Sequence, residues 1–126
     1  MNEKILVVED EVLVRFDMSD HLRAEHFQVL EASTVQVAKE LLNENPDVVL
    51  VFTDVQLPGP QDGLDLAHHV RANFPEVKIL VTSGHLAPRK LAENFGQLID
   101  KPYLPAEVVK QIRAALTPPN KLASAL

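Results

Sequence analysis

The chain has 126 residues, 46% of them hydrophobic and 24% charged, with no cysteine and a formal net charge of −6. This is the length and composition of one globular domain; it excludes disulfides, thiolate metal sites and a cysteine nucleophile, and it argues against a nucleic-acid backbone as the main partner. A cation or a basic protein surface suits the charge better, and the longest apolar runs, Ile5 to Val8 and Val48 to Phe52, fall far short of the roughly 18 residues that a bilayer requires.

Lys4 to Val8 reads as a strand buried on both faces. The run is too short for a secretory signal and breaks into Glu9, Asp10 and Glu11, so the cytoplasm is the expected address and no membrane is an expected partner. Negative charge there also favours the start of a helix, and Val14, Met18 and Leu22 supply that helix with an apolar stripe, His21 lying on its flank. Phe27 to Leu30 is a weaker strand. Ser33 with Gln36 fits a capping box for a second helix carrying Ala38, Leu41 and Leu42.

Val48 to Phe52 is the most apolar strand, and it runs directly into Asp54 and the loop VQLPGPQDG. Asp62 is placed to cap a helix starting near Gly63, with Ala67, Val70 and Phe74 as its stripe. His68 and His69 on that helix invite a metal reading, but adjacent helical residues point about 100° apart, so helix surface is the better expectation. Lys78 to Val81 is a fourth strand. Leu86 to Phe95, with Pro88 near its start and Gly96 after it, is the weakest helical segment, and Gln97 to Ile99 the shortest strand. Pro105 opens a last helix built on Val109, Ile112 and Leu116.

Strand and helix thus alternate five times, which calls for a parallel sheet with right-handed crossovers and helices on both faces, a doubly wound α/β domain. Residues 1–117 are expected to form that domain and 118–126 a flexible tail beginning within Thr-Pro-Pro-Asn.

Ligands of such sheets bind outside the carboxyl ends of the strands, near the point where strand order reverses. Those ends carry Glu9 and Asp10, Asp54, Thr82 and Ser83, and Asp100 and Lys101. If the first and third strands are neighbours, three acids share a small volume, and each like-charged pair costs about 4 kcal/mol at 4 Å and an effective dielectric near 20. Oxygen-only ligands and open positions describe Mg²⁺ as the compensating ion, with Lys101 neutralising the remainder. A site of this kind with a lysine and a hydroxyl, Ser83, suits a phosphoryl group, and Asp54 is the available nucleophile. The loop after Asp54 would turn a backbone carbonyl, that of Gln56 being the candidate, toward the metal.

These motifs resemble the receiver domain of two-component response regulators from about Lys4 to Leu116. ILVVEDE matches the family's first strand and acidic pair, FTDVQLPGPQDG its phosphoacceptor loop, VTSGH its hydroxyl position, and DKPY its lysine followed by a proline whose peptide is usually cis. Each is weak alone; four in order at strand ends are specific. The resemblance implies a flavodoxin-like (βα)5 fold of strand order 2-1-3-4-5, with Mg²⁺ held by Asp10, Asp54, the Gln56 carbonyl and, through water, Glu9. It implies that Asp54 accepts phosphoryl from a histidine kinase or a histidine phosphotransfer protein, that Lys101 contacts the phosphorylated group, and that Ser83 rather than Thr82 takes the Ser/Thr role. It also implies that the face built from Leu86 to Leu116 contacts a downstream protein.

Three departures stand out. The Pro58 to Gly63 loop is one residue longer than the commonest form, as in stand-alone receivers and those attached to sensor kinases. The aromatic expected three positions before the lysine is Leu98, with Tyr103 nearby as a substitute, though an aromatic after Lys-Pro more often only packs. His26 stands where a glycine usually follows the first helix, at a small cost in backbone strain. His85 borders the pocket, either tuning hydrolysis or lying exposed.

No segment among these residues reads as a DNA-binding or enzymatic output module. Output is expected by protein contact or phosphoryl relay. A Mg²⁺-dependent phosphatase using Asp54 as nucleophile is the alternative, but such enzymes usually place a general acid two residues later, where this chain has Gln56. A flavin carrier is disfavoured because Glu9-Asp10-Glu11 stands where a phosphate-binding loop would lie.

Overall fold

The computed structural model describes residues 2–84 and 97–118. In chain order these residues form β1 (Lys4–Val8), α1 (Val12–Ala24), β2 (Gln28–Ala32), α2 (Val35–Glu44), β3 (Val48–Asp54), α3 (Gly63–Asn73), β4 (Lys78–Ser83), β5 (Gln97–Asp100) and α4 (Pro105–Leu116). The helix expected over residues 86–95, His85, and the tail after residue 118 lie outside the described residues.

All strand pairs are parallel, in the order β2-β1-β3-β4-β5, as expected. Strand residues alternate between two cores because successive side chains point to opposite faces. Ile5 and Val7 of β1 join Phe52, Leu80 and Ile99 under α1 and α4, where Met18, Leu22, Val108 and Ile112 cover them. Leu6 and Val8 face the other way, under Ala38 and Leu42 of α2 and Leu66 and Val70 of α3. Each fully buried Leu or Ile contributes about 1.5–3 kcal/mol. This two-sided packing is what makes the central strands rigid supports for whatever follows them.

Local chemistry sets the element ends. The first helix closes with His26 at φ 73°, the left-handed position expected for it. The His26 N–H donates to the Arg23 carbonyl at 3.0 Å and the Phe27 N–H to the Leu22 carbonyl at 3.1 Å, and Phe27 is thereby buried against Leu22. This is the double closure that usually recruits glycine. It also corrects the second strand, which begins at Gln28 rather than Phe27 and runs on to Ala32.

The cap of α2 is a second correction. Thr34, not Ser33, is the N-cap, its hydroxyl accepting from the Val37 N–H at 3.2 Å, while Gln36 donates to Glu40 instead of closing a box. Asp62 caps α3 as expected: its carboxylate accepts from Leu64 and Asp65, and Asp65 accepts from the Asp62 N–H, each at 2.9 Å. Pro105 occupies the first turn of α4, where its missing N–H costs nothing.

Candidate functional site

Strand order reverses between β1 and β3, and the acids expected there do converge. Glu9 follows β1 and is 4% exposed; Asp54 is the last residue of β3 and is 5% exposed; Asp10 is exposed. One carboxylate oxygen from each of the three lies within 4.8 Å of the others.

Lys101 reaches into this group from the loop after β5. Its ammonium lies 2.7 Å from Asp54 Oδ2 and 3.1 Å from Glu9 Oε1. The lysine is held there by its own N–H, which donates to the Ser83 carbonyl at 2.9 Å; the Lys101-Pro102 peptide that follows is cis. Burial alone would lower the lysine's pKa, but the hydrogen bond and charge of Asp54, reinforced by Glu9, raise it instead. Burial pushes the Glu9 carboxyl above its usual range, against the Glu11 N–H and Lys101, with the Asp54 charge adding to the rise. One ammonium against three carboxylates leaves the rim anionic.

Backbone contacts fix the two buried acids. The second oxygen of Asp54 accepts from the Gln56 N–H at 3.1 Å, and the Thr53 hydroxyl donates to the Asp54 carbonyl at 2.9 Å. The second oxygen of Glu9 accepts from the Glu11 N–H at 3.1 Å. Glu11, the N-cap of α1, makes no side-chain cap bond, and its own N–H is the one the Glu9 carboxylate satisfies.

Ser83 ends β4, buried, opposite Asp100 in register. Thr82 is in register with Asp54, and its buried hydroxyl has no hydrogen-bond partner. Gln56, two residues after Asp54, is exposed. The loop turns at Gly59, φ 97°, and Lys39 of α2 pins it by donating to Gln61 at 2.9 Å.

Leu98 is half-buried against Val55 and Val81. Tyr103 packs edge-on to Phe52, ring centroids 5.7 Å apart at 72°, and burial, with the Glu9 charge next, pushes its hydroxyl up to about 12. His68 is exposed, as expected of a helix surface, but His69 is half-buried with its Nε2 enclosed and unpartnered. Its ring lies against Phe74.

Gly63 is a positioning residue that the sequence reading passed over. A Cβ there would overlap the Asp54 carbonyl oxygen and press on Val55 Cα; only a glycine lets the start of α3 pass under Asp54, where the Gly63 N–H donates to the Val55 carbonyl at 2.7 Å. The available signal was a poor helix former directly after a cap.

Three carboxylates with no nitrogen or sulfur donor among them make a donor set that fits a hard divalent cation. A doubly wound sheet binds its ligand outside the carboxyl ends of its strands at the switch point, which is where these three acids lie. The family model for the response regulator receiver domain matches residues 5–113. Transcriptional regulatory protein SrrA of Staphylococcus aureus is 32% identical over 120 residues, which cover 92% of this chain and 48% of that protein. The chain therefore spans about half the length of that relative. A response regulator receiver protein from Sinorhizobium medicae superposes with a TM-score of 0.82 at 27% identity, covering 91% of this chain and 94% of that one. A receiver domain protein from Clostridium thermocellum, 23% identical, shares the fold with a TM-score of 0.83 over 98% of both chains. The chain belongs to the response regulator receiver domain family of two-component systems.

Proposed function

We propose that this domain is a phosphorylation-dependent switch in which Asp54 accepts a phosphoryl group from a phosphohistidine of a sensor kinase or a histidine phosphotransfer protein. The observation that carries the reading is the Lys101 ammonium bridging Asp54 and Glu9 beside Asp10. In the transfer, an Asp54 carboxylate oxygen bonds to phosphorus, the phosphorus–nitrogen bond to the donor imidazole breaks, and the imidazole takes up a proton.

A carboxylate attacks a phosphoryl group only where the charge on the equatorial oxygens is offset. Mg²⁺ held by Asp10, Asp54, the Gln56 carbonyl and, through water, Glu9 would supply most of that offset. Lys101 supplies the rest, passing from the Asp54 carboxylate to the new phosphoryl oxygens. Ser83 donates its hydroxyl to one of those oxygens. β3, buried on both faces, keeps Asp54 in place throughout.

The donor is a protein. Leu13 is 82% exposed, and Val12 and Phe16 on α1 and Leu104 after Tyr103 are exposed apolar side chains as well. A cleft of about 460 Å³ is lined by Glu11, Lys101 and Tyr103, and exposed apolar side chains on the segments that line it suit macromolecular contact better than a small substrate. The signal leaves by protein contact over the face that includes β5 and α4, in the cytoplasm, without turnover of an outside substrate.

Incubation with a labelled small phosphodonor and Mg²⁺ tests this. Uptake that stops at one phosphoryl group per chain supports the switch. Continuous phosphate release would make the protein the alternative, a Mg²⁺-dependent phosphatase, against which Gln56 in the general-acid position argues.

A further inference from the structure

We propose that Arg15 is a positioning residue for the acidic rim: its guanidinium, aimed by Glu31, holds the Glu9 carbonyl and thereby fixes the β1–α1 turn that presents Glu9 and Asp10 to a divalent cation. The proposal rests on the Mg²⁺ reading above.

Arg15 lies in the first turns of α1 and points back over the turn it follows. Its Nη1 donates to the Glu9 carbonyl at 2.9 Å and its Nε to Glu31 Oε1 at 3.2 Å. The other Glu31 oxygen accepts from Arg23 Nη2, two turns along the same helix, at 3.1 Å. Glu31 thus sits between two guanidiniums on β2, and α1 is tied to the strand that flanks β1. The Arg15 and Glu31 side chains are only 14% and 21% exposed, so the pair is screened less than an ordinary surface salt bridge.

Every polar group of Glu9 is then accounted for. Its N–H donates to the Ala32 carbonyl at 3.0 Å, its carbonyl accepts from Arg15, and its carboxylate accepts from the Glu11 N–H and from Lys101. Three of these four tethers come from backbone groups or from a lysine that the metal chemistry itself requires. Arg15 is the one tether that is free to vary without touching a ligand atom. Among the described contacts, no other side chain donates to the Glu9 carbonyl.

Only a planar fork meets an acid with one edge and a carbonyl with another; a lysine ammonium carries the same charge but is a single point. This gives the proposal a sign that charge alone cannot imitate. As a bare cation near a metal site, Arg15 would weaken Mg²⁺ binding, and its removal would strengthen it. As a positioning residue, it strengthens binding, and its removal weakens it.

The test is Mg²⁺ titration by calorimetry of the wild-type chain, Arg15→Lys, Arg15→Gln and Glu31→Gln. Because supporting residues of metal sites typically change affinity by 10- to 100-fold, both Arg15 variants are expected to bind Mg²⁺ about tenfold more weakly, and Glu31→Gln a few-fold. Unchanged affinity in Arg15→Lys, or tighter binding in Arg15→Gln, overturns the proposal. Amide hydrogen exchange in EDTA decides the matter without metal: the Glu9 and Glu11 amides should lose protection in Arg15→Lys while those of α2 and α3 keep theirs, and unchanged protection at Glu9 and Glu11 overturns it. Should the wild-type chain bind no Mg²⁺, the proposed function fails, while the exchange arm still rules on Arg15.

Discussion

Lys101 lies 2.7 Å from Asp54, although 47 residues separate them in the chain. The contact exists because β3 and β5, the strands on either side of β4, end at the same edge of the sheet. Asp54 is thereby ion-paired on one oxygen and held by the Gln56 N–H on the other. On the proposed function, phosphoryl acceptance would require the lysine to change partner, so that the same residue would stabilise the resting domain and the product.

Replacing Lys101 by Met removes the counter-charge of two buried carboxylates. Breaking a buried pair typically costs 3–5 kcal/mol, and partial solvent access at Lys101 reduces this to about 1–3 kcal/mol. Urea unfolding should record that loss, and phosphoryl uptake should slow by about 100-fold, the scale of losing one charge-stabilising donor. Retained stability with retained uptake would remove Lys101 from the site.

Magnesium should stabilise the fold. A ligand that binds only the folded state at 100 times its dissociation constant contributes about 2.7 kcal/mol, which thermal unfolding would read as a rise in Tm with Mg²⁺ and none with an equivalent ionic strength of Na⁺. Asp10→Asn should abolish most of the rise, since Asp10 is the exposed member of the cluster and has less structural duty than Glu9.

Gly63→Ala tests the close approach beneath Asp54. The added methyl overlaps the Asp54 carbonyl, and relieving such overpacking costs about 1–3 kcal/mol. If Asp54 is the acceptor, the variant should also take up phosphoryl more slowly than its stability loss explains, because the Asp54 backbone must shift. An alanine tolerated in both measurements would mean that α3 starts elsewhere.

Acid should weaken the α2–α3 side through His69. Burial, with the Lys39 charge second, lowers its pKa from the usual 6.5. The folded state therefore prefers the neutral ring, so the contribution to stability is present above pH 6.5 and is lost as pH falls below it through the depressed folded value. His69→Gln should flatten the fall in Tm over that window relative to wild type. An equal slope in both proteins would contradict the assignment.

Much of this arrangement was legible in the sequence. Apolar runs ending in Glu9, Asp54, Ser83 and Lys101 place those residues at one sheet edge by the rule that parallel strands present their carboxyl ends together, and the positive φ of His26 was implied by the resemblance, which puts a glycine at that turn. What was not legible depends on distances across the fold. Ser33 and Thr34 are both competent caps, and only the packing of Val35 against β1 and β2 decides which one starts α2. His69 looked like surface because its helix stripe omits it, yet it is half-buried with its ring against Phe74. Arg15 acts through a backbone carbonyl, which no residue pattern advertises, and Gly63 shows only as a poor helix former after a cap.

The most direct test of the acidic rim as a phosphoryl acceptor is intact mass spectrometry after exposure to a small phosphodonor, with Mg²⁺ and with EDTA, for wild type and Asp54→Ala. The account predicts a gain of one phosphoryl group in wild type with Mg²⁺ only, and none in the variant under either condition. Equal gain in Asp54→Ala, or gain in wild type that is indifferent to the chelator, would contradict it.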